Sequence, residues 1–201
     1  MRCARCADPA PPTSTARCRP PRPSPWRSMC AAGTELIMDS WQHRIDGFWQ
    51  AAPSKDAMTL GVELELLVES GIPAGHAAFE RASLHDYLGE EEQAIPLYRM
   101  ALESGTLSPA KCSEARIQLA SSLRNIGEPG PAAAVLQDIG PDDPLHADAQ
   151  AFLALALFDA AEASAALKTA LTALAPALQL YAGPVRRYAQ ELGNRHLPET
   201  R

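Results

Sequence analysis

The chain has 201 residues, of which 46% are hydrophobic but only 5% aromatic, and its net charge is −6. That length suits one domain, or one domain with a tail. No run approaches the ~18 consecutive apolar residues of a membrane span, and the acidic balance argues against a nucleic-acid footprint spread over the whole chain. The composition does not fit a porin, a collagen or a disulfide mini-scaffold.

The charge is uneven. Residues 1–37 hold six arginines against Asp8 and Glu35, a balance of +4, together with seven of the 18 prolines and four of the five cysteines. This stretch has no apolar periodicity and cannot bury enough surface to offset its ordering entropy. A secretory signal needs a continuous apolar run, which Pro20, Pro21, Pro23 and Pro25 interrupt. The same prolines oppose the amphipathic helix of a transit peptide. Cys3 and Cys6 have ligand-like spacing, but the second CxxC that would close a zinc site is missing. The expectation is a disordered Pro/Arg/Cys-rich extension over 1–37, left untranslated if the true start is Met29 or Met38.

From Asp39 onward the pattern predicts helix, break, helix. Asp39 or Ser40 can cap a helix with Trp41, Ile45, Phe48 and Trp49 on one face. A second spans about 57–70, with Leu60, Leu64, Leu67 and Val68 as its stripe, and Gly71 and Pro73 end it. A third covers about 76–88 and stops at Gly89. A fourth covers 91–103, a fifth about 110–126 up to Gly127, and a sixth 131–139 up to Gly140. The seventh and eighth cover 145–159 and 163–174, and a last helix covers 185–192. No alternating run rich in β-branched residues predicts a strand. Cys112 reads as a plain small residue early in the fifth helix.

Internal repetition is the strongest signal. Ala94, Ala132 and Ala166 open successive helices at spacings of 38 and 34 residues, and Ala82, Ala120 and Ala154 keep the same phase in the helices before them. A turn glycine separates each pair as Gly89 and Gly127, with Ala161 in the third place. Four residues after the second small position stand Tyr98, Leu136 and Ala170. Leu119 and Leu153 precede the first small residue in two copies, while Arg81 does so in the other. The surplus between the first two copies fits the loop 106–110, because loop insertions cost little.

On these residues, 75–176 resembles three tetratricopeptide repeats, pairs of antiparallel helices with a 34-residue period. The run GEEEQAIPLYRMA (89–101), with Gln118–Gly127 and Ala151–Leu157, resembles more narrowly a bacterial tetratricopeptide-repeat family of little-explored biochemistry. Leu171–Pro176 and Arg187–Leu192 fit that family's tail. The aromatic usual near the start of the first helix and the proline closing the repeat are absent. The resemblance implies an all-α, right-handed stack of helix pairs in the cytoplasm. Residues 38–74 are then N-terminal helices packing on the repeats, and 177–201 a capping helix and tail. It implies no catalytic residues and no cofactor.

Nothing in the residues points to catalysis or a metal either. The five histidines are scattered, and no HExxH, GxSxG or phosphate-binding loop occurs. Glu90, Glu91 and Glu92 suit the positive end of a helix. The expected role is non-catalytic binding of a protein or peptide, with neither nucleic acid nor membrane as partner. In stacked pairs the first helix of each repeat lines the concave face. That places His76, Phe79, Ser83 and Asp86 in the first copy. The second places Glu114, Ile117, Ser121, Arg124 and Asn125 there, and the third Asp148, Ala151, Leu155 and Phe158. The expected polar contacts are Gln118, Ser121, Arg124, Asn125, His76 and Ser83. Arg124 and Asn125 can meet a carboxylate and a backbone, or they can serve ordinary helix C-terminal chemistry. The lysine-and-asparagine carboxylate clamp of chaperone-binding repeats is absent, since Phe79, Ser83 and Ser121 stand at those places. The apolar third copy is expected to be covered by the last helix. The competing reading is a structural or oligomerising module, its groove filled by its own helices or a second copy, with the Trp41, Phe48 and Trp49 stripe as a homodimer contact.

Overall fold

The structure, a computed structural model, describes residues 41–192. The expectations for residues 1–37, for the Asp39 or Ser40 cap and for the tail beyond 192 lie outside the described residues.

Nine α-helices follow one another among the described residues, with no strand between them. They are α1 (Trp41–Ala51), α2 (Ala57–Glu69), α3 (Ala74–Tyr87), α4 (Glu91–Glu103), α5 (Pro109–Asn125), α6 (Pro129–Gln137), α7 (His146–Asp159), α8 (Ala163–Leu174) and α9 (Ala182–Leu192). All nine correspond to predicted helices. Four begin earlier than the pattern predicts, α3 on Ala74 and α5 on Pro109 among them. Proline is tolerated at the first helical position, where its missing N–H would lack a partner anyway, so α6 opens on Pro129 rather than Pro131. Similarly, α9 opens on Ala182, ahead of Pro184.

Local chemistry starts and stops these helices. Asp56 caps α2, its carboxylate accepting the Thr59 N–H at 2.9 Å, and Ser108 caps α5 through the Lys111 N–H at 3.3 Å. Such caps stabilise a helix start by satisfying an N–H that has no partner within the helix. The turns after α3, α5 and α7 share one design. Gly89, Gly127 and Ala161 all have positive φ, at 75°, 84° and 64°. In each turn the next N–H reaches back to a carbonyl five residues earlier: Glu90 to His85, Glu128 to Leu123, and Glu162 to Leu157. This is the Schellman closure that satisfies carbonyls at a helix end.

Each helix packs on the next in sequence, and α5 also touches α3 and α7. The pairs α3/α4, α5/α6 and α7/α8 are the three repeats, and the small residues meet where the helices cross. Ala82, Ala94, Ala120 and Ala132 are essentially inaccessible. Around them one core runs through Phe79, Tyr98, Leu119, Leu123, Leu136 and Leu153. A second core gathers Ile45, Phe48, Leu60, Leu64 and Ile72 with Ala77 and Leu84 of α3. Helix α3 therefore has residues in both cores. Arg81, which breaks the repeat pattern, makes a bidentate pair with Glu65 of α2, at 2.8 and 2.5 Å.

One expectation fails. Helix α9 packs on α8 and the short turn after it, and it leaves the third copy's face uncovered. Leu155 is 46% and Phe158 65% exposed, and they border an open cleft of about 800 Å³ lined entirely by apolar residues of α7 and α8.

Candidate functional site

A groove of about 520 Å³ lies on the side of the stack formed by α1, α3, α5 and Phe152 of α7. No residue of α4, α6 or α8 reaches it, so its walls come from the first helix of each repeat, with α1 added at one edge. Phe79 and Ile117 are buried and form its floor. Above them Ser83, Gln118 and Ser121 supply the neutral polar surface.

The helical period sets this arrangement, because residues three or four apart share a face. Ser83 and Gln118 meet across the α3–α5 contact, where the Ser83 hydroxyl donates to the Gln118 carbonyl at 3.0 Å. The hydroxyl of Tyr98, from inside the core, donates to the same carbonyl oxygen. Burial pushes the Tyr98 phenol far above its ordinary value of 10.0, so it stays a donor. Gln118 is thereby fixed at the groove wall. Ser121 is half-buried one turn along.

Of the six expected contacts, the structure brings Ser83, Gln118 and Ser121 together on the groove. It does not bring the other three there. The Arg124 guanidinium pairs with Asp159 of α7. The Asn125 amide donates to Glu91 of α4 at 3.1 Å. Both residues tie α5 to neighbouring helices. His76 is half-buried against Trp41, with ring centroids 4.7 Å apart. Burial first, and Lys111 second, hold its pKa below the ordinary value.

The groove also contains Glu80, Tyr87 and Lys111, which sequence reasoning did not single out, beside Asp86 and Glu114, which counting along the first helices places there. Glu80 is only 3% exposed and accepts the indole N–H of Trp49 at 2.6 Å. Burial raises its pKa, and Glu114 and Asp46 add to the rise against the opposing Trp49 hydrogen bond and Lys111. Asp86 accepts the Ser122 hydroxyl at 2.8 Å, and burial raises its pKa too. Lys111 is the basic residue of the lining. Its ammonium lies 4.3 Å from the Phe79 ring centroid and 2.9 Å from Glu114. Trp49 packs edge-on against Tyr87, with centroids 6.0 Å apart. A signal for Glu80 was available: it is a carboxylate set among Ala77, Ala78, Phe79 and Ala82, where an apolar face needs none.

Among the described residues no cluster of histidine, cysteine and carboxylates is placed to hold a metal. No described helix is long and apolar enough to cross a membrane.

Three helix pairs in one phase, crossing at small residues and closed by the same turn, define a helical-repeat protein whose first helices share a common groove. The family model described as Tetratrico peptide repeat matches residues 75–192, more than half of the chain, and the chain belongs to that family. No curated protein matches the chain, and neither does any solved structure.

Proposed function

We propose that the protein is a non-catalytic scaffold that binds a protein or peptide in the groove of α1, α3 and α5, with Ser83, Gln118 and Ser121 as neutral polar contacts. The observation that carries this reading is the groove's lining, drawn only from α1 and the first helices of the repeats. Stacked repeats supply such a surface largely preformed, so binding carries little ordering cost. Membership of a repeat family whose members act through protein contacts supports the same role. Arg124 and Asn125 serve it indirectly by holding adjacent helices in register. Replacing Ser121 with Trp fills the groove without touching the core. Affinity capture from a lysate should lose its specific proteins with Ser121→Trp and keep them with Arg124→Ala. Equal recovery by wild type and Ser121→Trp would remove the groove from the mechanism.

A second reading, a structural or oligomerising module, is favoured by the apolar cleft between α7 and α8. Light scattering at two protein concentrations tests it, since self-association through that cleft raises the mass with concentration.

A further inference from the structure

Arg124 and Asn125, the residues best suited to a partner's carboxylate, are engaged with Asp159 and Glu91. What remains in the groove has the opposite electrostatic sense. Its lining holds Asp46, Glu80, Asp86 and Glu114 against Lys111 alone. Lys111 answers Glu114. Glu80 and Asp86 accept hydrogen bonds from neutral donors, Trp49 and Ser122, so their charge is solvated but not neutralised by those contacts. Both are also at least half withdrawn from water, which strengthens their pull on an opposite charge. The raised pKa values of both follow from that setting. Beside these carboxylates stand the faces and edges of Trp49, Tyr87 and Phe79. Aromatic rings attract cations through their quadrupole, and the chain's own Lys111 ammonium already lies over Phe79.

Resting on the groove-binding reading above, we propose that the partner is a peptide segment with an exposed arginine, whose guanidinium lies against Trp49 and Tyr87 and pairs with Glu80 and Asp86. Arginine fits better than lysine because its plane stacks on aromatic rings while its fork of donors meets carboxylates in pairs. The neutral groups Gln118 and Ser121 then meet the peptide backbone on either side. Rejection of acidic segments follows from the same carboxylates, since a like charge brought into the groove meets all four of them while Lys111 is already paired with Glu114.

The test uses the full chain and a random-peptide library displayed on phage. Enrichment of peptides with arginine at one fixed position is expected. A synthetic copy of an enriched peptide should lose roughly tenfold in affinity when that arginine becomes citrulline, its neutral near-isostere. Asp86→Asn and Glu80→Gln, checked for folding by circular dichroism, should bind the two peptides nearly alike, whereas Glu103→Gln on α4 should keep the discrimination. The same affinity for arginine and citrulline peptides, or enrichment of peptides without basic residues, overturns the proposal. If such binding is still abolished by Ser121→Trp, the groove reading survives that failure. If no peptide is enriched, or if binding persists in Ser121→Trp, both fail.

Discussion

The first two repeats and the third are built to the same phase yet end in different states. In the first two, Tyr98 and Leu136 fill the space beside the crossing and are essentially inaccessible. In the third the same position is Ala170, which is exposed and lines the apolar cleft. The first two chain reversals use glycine, and the third uses Ala161 in the same left-handed conformation. A helix pair therefore forms in the third copy without a bulky residue at that position, where the small-residue phase, the turn closure and Leu153 in the core are kept. Closing the pair's outer face requires a bulky side chain at the following position, or another element lying over it.

Substitutions at matched positions sharpen this contrast. The largest effect is expected at the tight crossings. Ala120→Leu or Ala132→Leu should lower stability by about 1–3 kcal/mol, more if the backbones cannot separate. Ala170→Leu, entering the open cleft, should cost nothing and add up to about 1 kcal/mol. Urea denaturation of the three variants side by side measures both, and equal losses at all three positions would contradict the contrast.

Next come the turns. A side chain at Gly127 meets no atom within 4 Å, so Gly127→Ala probes backbone conformation alone and should destabilise by about 1 kcal/mol. Ala161→Gly should move the other way by a smaller amount, because the glycine's larger unfolded-state entropy offsets part of the relief. Thermal melts of the two variants should shift in opposite directions.

The acidic wall of the groove has its own signature. Glu80 has a pKa raised above its ordinary 4.5, chiefly by burial. Its protonated form is thus favoured in the folded state, and its contribution to stability is full below 4.5 and lost as pH rises through the folded value. Glu80→Gln keeps an acceptor for Trp49 and removes the charge, so it should be more stable than wild type at neutral pH. The difference should shrink as pH falls toward 4.5, and a melting series across that range checks the sign. The smallest effect belongs to Arg124→Ala. Its pair with Asp159 is partly exposed, and its loss should cost about half a kcal/mol or less.

The helices and their repeat phase were legible in the sequence because apolar spacing, capping residues and turn glycines agree along the chain. The groove was legible only in part. Ser83, Gln118 and Ser121 follow from counting along first helices. Arg124 and Asn125 were misplaced because counting within one helix ignores the neighbouring repeat: Asp159 and Glu91 lie 35 and 34 residues away, one repeat length in either direction. Ser83 to Gln118 and Asp86 to Ser122, at 35 and 36, obey the same rule. Gly75 was not legible at all. A Cβ there would lie 2.1 Å from the Ser104 hydroxyl oxygen, a crowding set by how α3 meets the loop after α4. The uncovered third face was missed because an amphipathic last helix signals that it packs, but not on which neighbour.

The position of α3 in two cores has a consequence for how the molecule comes apart. Ala78, Phe79 and Ala82 face the repeats, while Ala77 and Leu84 face α1 and α2. In a linear array each unit ordinarily melts against its neighbours alone, and the ends fray first. Here one helix is a wall common to both compartments, so loosening either side strips apolar cover from the other. Amide hydrogens of α3 should exchange among the slowest in the chain, in step with global opening rather than fraying. A fragment cut at residue 75, where the repeats begin, would start its life with the second face of that helix bare.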